Sequence, residues 1–201
     1  EMLEAGYAIN VEFHYLHHQP DGTPHANLAE MSERIAAAAA RTGIGLTLLP
    51  VHYQFGGCDG RPLGPGQARF GTDPQMFARL LDATEGALRH LPADAGIGVA
   101  PHSLRAVSPD ALRLCATLRP GRPLHMHLAE QIPEIDEVRA ARGLRPDLVI
   151  HGGLRRQRET AEGILSGLRA HADVDCPVEV DEGWAEYDAD AVLESARAAG
   201  L

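Results

Sequence analysis

The chain has 201 residues, 44% of them apolar and 23% charged, with a formal net charge of −10. A surface of that sign repels phosphate, which argues against a nucleic-acid partner. No apolar run approaches the roughly 18–20 residues that span a bilayer, and no signal-peptide pattern opens the chain. All 18 basic residues are arginine, so a Schiff-base lysine, a pyridoxal phosphate linkage and a P-loop lysine have no residue to use here. Cys58, Cys115 and Cys176 are far apart and form no CxxC pair. A disulfide framework is therefore not expected, and a reducing cytoplasm fits.

The opening EMLEAGYAIN reads as the end of a helix passing through Gly6 into a strand, an abrupt start that implies a missing N-terminus. AINVEFHY is then a strand, and ANLAEMSERIAAAAART an alanine-rich helix closed by Gly43. IGLTLLPVHY is a continuous apolar strand suited to burial on both faces. The Gly/Pro-rich QFGGCDGRPLGPGQ is long for a connector, which marks it as a candidate functional loop. DPQMFARLLDATEGALRHL is helical, AGIGVAPHS a strand, and SPDALRLCATL a helix with Ser108 as N-cap and Pro109 at its first position. PLHMHLA is a further strand. Beyond residue 146, DLVIHGG reads as a strand and LRRQRETAEGILSGLRAHA as a helix, followed by an acidic stretch. The repetition of strand and helix predicts an α/β fold with a parallel sheet, doubly wound or barrel-like.

Polar residues gather at the ends of successive strands: His14 and Tyr15, His52 and Tyr53, His102, then His125 and His127. In a βα barrel those ends share one face, and that face carries the chemistry. In HMH both imidazoles project to the same side of a strand. Zinc takes such nitrogens, and a carboxylate such as Glu130 just past the strand can shuttle protons for a metal-bound water. Taken alone, the motif reads equally well as a hydrogen-bonded rim.

The strings EMLEAGYAINVEFHYLHHQPDG, GIGLTLLPVHYQFGG, APHSLRAVSPDAL and LHMHLAEQ together resemble the formimidoylglutamate deiminases of the amidohydrolase superfamily, over about residues 1–140. The resemblance implies part of a (β/α)8 barrel, about strands two to five. It also implies a zinc cofactor and the hydrolysis of N-formimidoyl-glutamate to N-formyl-glutamate and ammonia, in histidine degradation. His127 would be the fifth-strand zinc ligand and Glu130 the proton shuttle. Tyr15, His102 and Arg105 would hold the small-molecule substrate, the guanidinium donating paired hydrogen bonds to a carboxylate. The first-strand HxH and the last-strand aspartate of that family are not recognisable, and such a barrel takes about 250 residues. The chain is therefore expected to be inactive by itself. Its uncovered strand edges are expected to favour homo-oligomers. His14, His52, His125 and His151 receive no role.

After ARGLRP (141–146) the pattern changes. RPDLVIHGGLRRQRETAEGIL and VDEGWAEYDADAVL resemble the histidine phosphatase (phosphoglycerate mutase-like) superfamily over about 145–194, through Leu154, Arg156, Thr160 and Ala161. That resemblance implies a phosphate site with Arg156 on the phosphoryl oxygens and Glu186 at the general-acid position. The family's Arg-His-Gly and second catalytic histidine are absent. Composition alone reads the same helix as solvated, with Arg155–Glu159 and Arg158–Glu162 pairs worth a few tenths of a kcal/mol each. Two domains are thus expected: a partial barrel over 1–143 and a short α/β fragment over 144–201, joined as a chimera with no linker. The alternatives for function are a deiminase fragment, a phosphatase fragment and a non-catalytic α/β polypeptide.

Overall fold

The computed structural model describes residues 1–128, 130, 132–142, 149–153, 155–171 and 176–181. It divides into two compact units, Glu1–Ala141 and Arg142–Leu201. The first unit is built on parallel strands. β1 (Ile9–His14) lies beside β2 (Gly45–His52), and β2 pairs in turn with β3 (Gly96–Ile97) and β4 (Ala100–Pro101). The parallel α/β arrangement expected from the strand–helix repetition is present. The opening residues are not a helix end: they form hydrogen-bonded turns, with Ala5 N–H donating to Glu1 O and Gly6 at φ +91°.

α1 (Glu30–Thr42) begins later than its sequence pattern, because the Asn27 side chain accepts from Ala29 N–H and holds a turn in front of it. It ends at Gly43, whose φ of 77° is the left-handed geometry of a C-cap. α2 (Pro74–Ala87) starts where Asp73 accepts a hydrogen bond from Met76 N–H at 2.7 Å. It buries Phe77, Leu80, Leu81 and Thr84, an i, i+3, i+4, i+7 stripe. The small buried residues of α1, Ser32, Ala36 and Ala39, let the two helices approach, and Ser32 Oγ meets Thr84 Oγ1 at 2.9 Å. α3 (Pro109–Leu118) has the Ser108 cap that the sequence indicates, with Cys115 buried in the core and its thiol pushed up to about 12 by that burial.

Two strand expectations are corrected. AGIGVAPHS is split into β3 and β4, because its middle turns from β2 towards the next segment: Gly98 N–H donates to Leu48 O, while Val99 bonds to Pro123 O. A Cβ on Gly98 would collide with the Leu49 side chain and the Pro123 carbonyl, so only glycine fits this crossing. PLHMHLA is not a continuous strand either. It touches the sheet through two parallel bridges, Val99–Leu124 and Ser103–His127, at an edge where Leu124 and Leu128 are exposed. A helix absent from the sequence reading, α4 (Ile132–Arg142), follows.

In the second unit, β5 (Val149–His151) pairs parallel with β6 (Val178–Val180), and α5 (Arg155–His171) connects them. Ala161 and Leu165 on α5 are buried. Among the described residues, no helix is long and apolar enough to cross a membrane.

Candidate functional site

The strand ends of the first unit sort by parity. Side chains of one strand alternate between faces. On β2, Leu46 and Leu48 join the core packed against the helices, whereas Leu49, Val51 and, one step past the strand, Tyr53 join a second cluster with Ala100 and Ala106. Phe13 and Tyr15, at the end of β1, pack on that second cluster with Leu63 and Phe70. His52 has the opposite parity: its ring stacks on Phe77 of α2 at 4.7 Å, and Nδ1 meets Thr72 Oγ1 at 2.7 Å. The common strand-end face read from the sequence therefore holds Tyr15, Tyr53, His102 and His127, while His14 and His52 turn away from it.

Within that face, Tyr15 Oη lies 2.8 Å from His127 Nε2. The His127 ring packs on Phe13 at 4.4 Å and edge-on against His102 at 5.1 Å. His102 sits 4.3 Å from the Tyr53 ring, and its Nδ1 meets Ser103 Oγ at 2.9 Å. Burial, then the neighbouring His127 and Arg105, lowers the His102 pKa to about 3, so its imidazole is neutral at ordinary pH. Burial and the charge of Glu130 raise that of Tyr15.

Tyr53 carries the chain of contacts outward. Its hydroxyl accepts from Gln67 Nε2 at 2.9 Å and from Arg105 Nη1 at 3.3 Å. Arg105 then opens onto a polar cavity of about 300 Å³ lined with Arg61, Glu130, Pro133, Glu134 and Glu137. Glu130 is exposed, and its backbone N–H donates to Glu134 Oε2 at 3.0 Å at the start of α4. The structure thus brings Tyr15, His102 and His127 into one aromatic cluster and sets Arg105 and Glu130 on the cavity beside it. His125 is exposed. The sequence places Tyr53 at a strand end without giving it a role, and it does not mark Gln67 or Arg61. The odd parity of Tyr53 with Leu49 and Val51 was the available signal.

A zinc ion does not fit the described residues. Among them no three His, Cys, Asp or Glu side chains are grouped to hold a metal, and the Nε2 of His127 is engaged by the Tyr15 hydroxyl. The buried imidazole nitrogens without a hydrogen-bond partner include His14 Nε2, His17 Nδ1, His18 Nδ1 and His52 Nε2, not those of His127. Arg156 lies on α5, but its side chain, like the whole of Glu186, falls outside the described residues.

No family model matches the chain. Over 149 residues it is 44% identical to the formimidoylglutamate deiminase of Pseudomonas aeruginosa, a match covering 73% of this chain and 32% of that protein. The crystal structure of an amidohydrolase from Brucella melitensis superposes with a TM-score of 0.69 at 37% identity, over 96% of this chain and 46% of the other. The similarity is to amidohydrolases. The chain spans about a third of the length of the curated relative it matches. Because the structural match reaches over nearly the whole chain, neither comparison supports the phosphatase-like reading of residues 145–194.

Proposed function

We propose that this chain supplies the substrate-holding wall of an amidohydrolase of the formimidoylglutamate deiminase kind, built on the second to fifth strands of a (β/α)8 barrel. The substrate is N-formimidoyl-L-glutamate. One carboxylate rests on Arg105, whose guanidinium is oriented by Tyr53. Tyr15 and neutral His102 border the formimidoyl end. Glu130, on the same cavity as Arg105, receives a proton from attacking water and returns it to the departing ammonia. The family's zinc enters no step here, since the described residues do not assemble its site.

The observation that carries this reading is the convergence of Tyr15, His102, Arg105, His127 and Glu130, from three separate segments, on one face of the first unit. Titration of the purified chain with N-formimidoyl-L-glutamate, followed calorimetrically with ammonia release as a second readout, tests it. Saturable binding that Arg105→Ala weakens about tenfold or more is expected, from loss of a charge-assisted hydrogen bond. A folded chain that ignores the compound sinks the reading. Hydrolysis of p-nitrophenyl phosphate abolished by Arg156→Ala would replace it with the phosphatase one.

Self-association is part of the proposal. Among the described residues β1 pairs with β2 alone, and Ile9 and Val11 are exposed on it. A monodisperse monomer in sedimentation would remove that part.

A further inference from the structure

The Gly/Pro-rich loop after β2 begins with a small flap, residues 56–61. Gly56 N–H donates to the Arg61 carbonyl at 2.8 Å and closes the neck, and Gly60 N–H donates to Gly57 O at 3.1 Å. Three of the six residues are glycine, with Gly60 at φ +76°, so this backbone has more conformations open to it than its surroundings. The base below it is fixed: Gln54 and Phe55 N–H both donate to Ala106 O, and Gln67 Nε2 donates to Tyr53 Oη.

Arg61 fastens the flap in two directions. Inward, its Nε donates to Gly56 O at 3.2 Å, the same carbonyl that accepts from Arg105 Nη1 at 3.4 Å. Outward, its Nη2 donates to Glu137 Oε1 on α4 at 3.4 Å. The outward pair borders two spaces. One is the cavity of about 300 Å³ that holds Arg105 and Glu130; the other, of about 360 Å³, is lined by Cys58, Asp59, Ala140 and Ala141. Arg61 and Glu137 line both.

We propose that the flap is a lid, latched over the Arg105 cavity by the Arg61–Glu137 pair, and that its opening joins the two cavities into the ligand's entrance. The entrance rests on the reading of the Arg105 cavity as the substrate site; the latch does not. The closed latch is weakly held. Half of the Arg61 side chain is exposed, and exposed pairs contribute little. Glu137 Oε2 is buried without a hydrogen-bond partner, a cost that opening relieves by letting water reach it. Asp59 Oδ2, 3.2 Å from Arg61 Nη1, keeps the guanidinium paired within the flap once Glu137 lets go. A Cβ on Gly57 would collide with that guanidinium, so glycine there is what allows the arginine its latched position.

The test uses the full chain. Two readouts follow the lid without a ligand: hydrogen exchange of the flap amides, and the rate at which an aromatic disulfide reagent takes Cys58. The second is compared at the pH-independent plateau, where the thiol is fully ionised. Cys115 is buried in the core, and its unchanged reactivity shows that the fold has held. Glu137→Ala, Arg61→Gln and Gly57→Ala, which displaces the guanidinium, each speed both readouts severalfold. High salt speeds them in the wild type alone, by screening the pair. With N-formyl-L-glutamate in stopped flow, the variants raise the association and dissociation rates together and leave the ratio within about twofold. A rise in dissociation alone would make Arg61 a ligand contact and overturn the lid. Flap amides and a Cys58 thiol that ignore all three variants and salt refute the latch, whatever the probe does. If the latch responds but the folded wild type binds no probe, the entrance falls together with the substrate reading.

Discussion

On one face of β2, Leu46 and Leu48 meet Phe77, Leu80, Leu81 and Ile97 in a closed apolar core. On the other, Leu49 and Val51 lead to Tyr53 and a set of rings whose polar atoms are paired across long stretches of chain. The first face derives its stability from area removed from water, about 1.5–3 kcal/mol for each large side chain. The second adds directional contacts: Tyr15 to His127, and Tyr53 to Gln67 and Arg105. A single strand thus separates a non-directional core from an oriented polar cluster. The separation shows how eight consecutive residues support both a fold and a site.

Acid should destabilise the first unit through buried histidines, on the site face as well as beside the helices. His14 and His52 are lowered to about 4, and His17 to about 3, in each case mainly by burial; His14 also depresses His17, and Asp73 partly offsets the shift of His52. Their unfolded pKa is about 6.5, so between there and pH 3–4 the unfolded chain binds more protons than the folded one. Stability is complete above pH 6.5 and is lost as pH falls below it, by about 1.4 kcal/mol per pH unit for each histidine. On the site face His102 behaves the same way. Urea midpoints between pH 7.5 and 4.5 check this. His17→Asn should flatten the slope by one proton, and a midpoint that stays level down to pH 5 would overturn the account.

A smaller effect is expected from Phe77→Ala, which empties the centre of the helix-side core. The expected cost is about 3–5 kcal/mol in denaturant unfolding. Probe binding by the fraction still folded should keep its wild-type affinity, because Phe77 meets His52 and not the aromatic cluster. A large change in affinity would show that the two faces are coupled. Smallest of all, Tyr53→Phe removes the hydroxyl shared by Gln67 and Arg105. Stability should fall by about 1 kcal/mol, while N-formyl-L-glutamate binding weakens severalfold through the loss of Arg105 orientation. Equal affinity in variant and wild type would remove Tyr53 from the site.

Much of this architecture was legible in local sequence. Asp73-Pro74 and Ser108-Pro109 mark helix starts because a side-chain oxygen and a missing N–H answer the needs of a first turn. Gly43 marks a helix end for the complementary reason. Where several partners decide, the signal was weaker. AGIGVAPHS reads as one strand, but Gly98 and Val99 bond to different neighbours and split it. The partners of His127 lie at Phe13 and Tyr15 on β1 and at His102 beyond β4, so the cluster was visible only as a list of strand ends. α4 escaped notice because IPEIDEVRAAR carries no clear apolar stripe.

By itself the sequence determined the alternation of strand and helix from β1 to α3, the caps at Gly43 and Ser108 and the amidohydrolase-like strings, because each depends on neighbours a few positions away. Tertiary structure alone decided which strand-end residues face the site, that His52 belongs with Phe77, and that Arg61 and Arg105 meet at one carbonyl. These depend on strand parity and on contacts between residues tens of positions apart. Only closing the chain on itself fixes them.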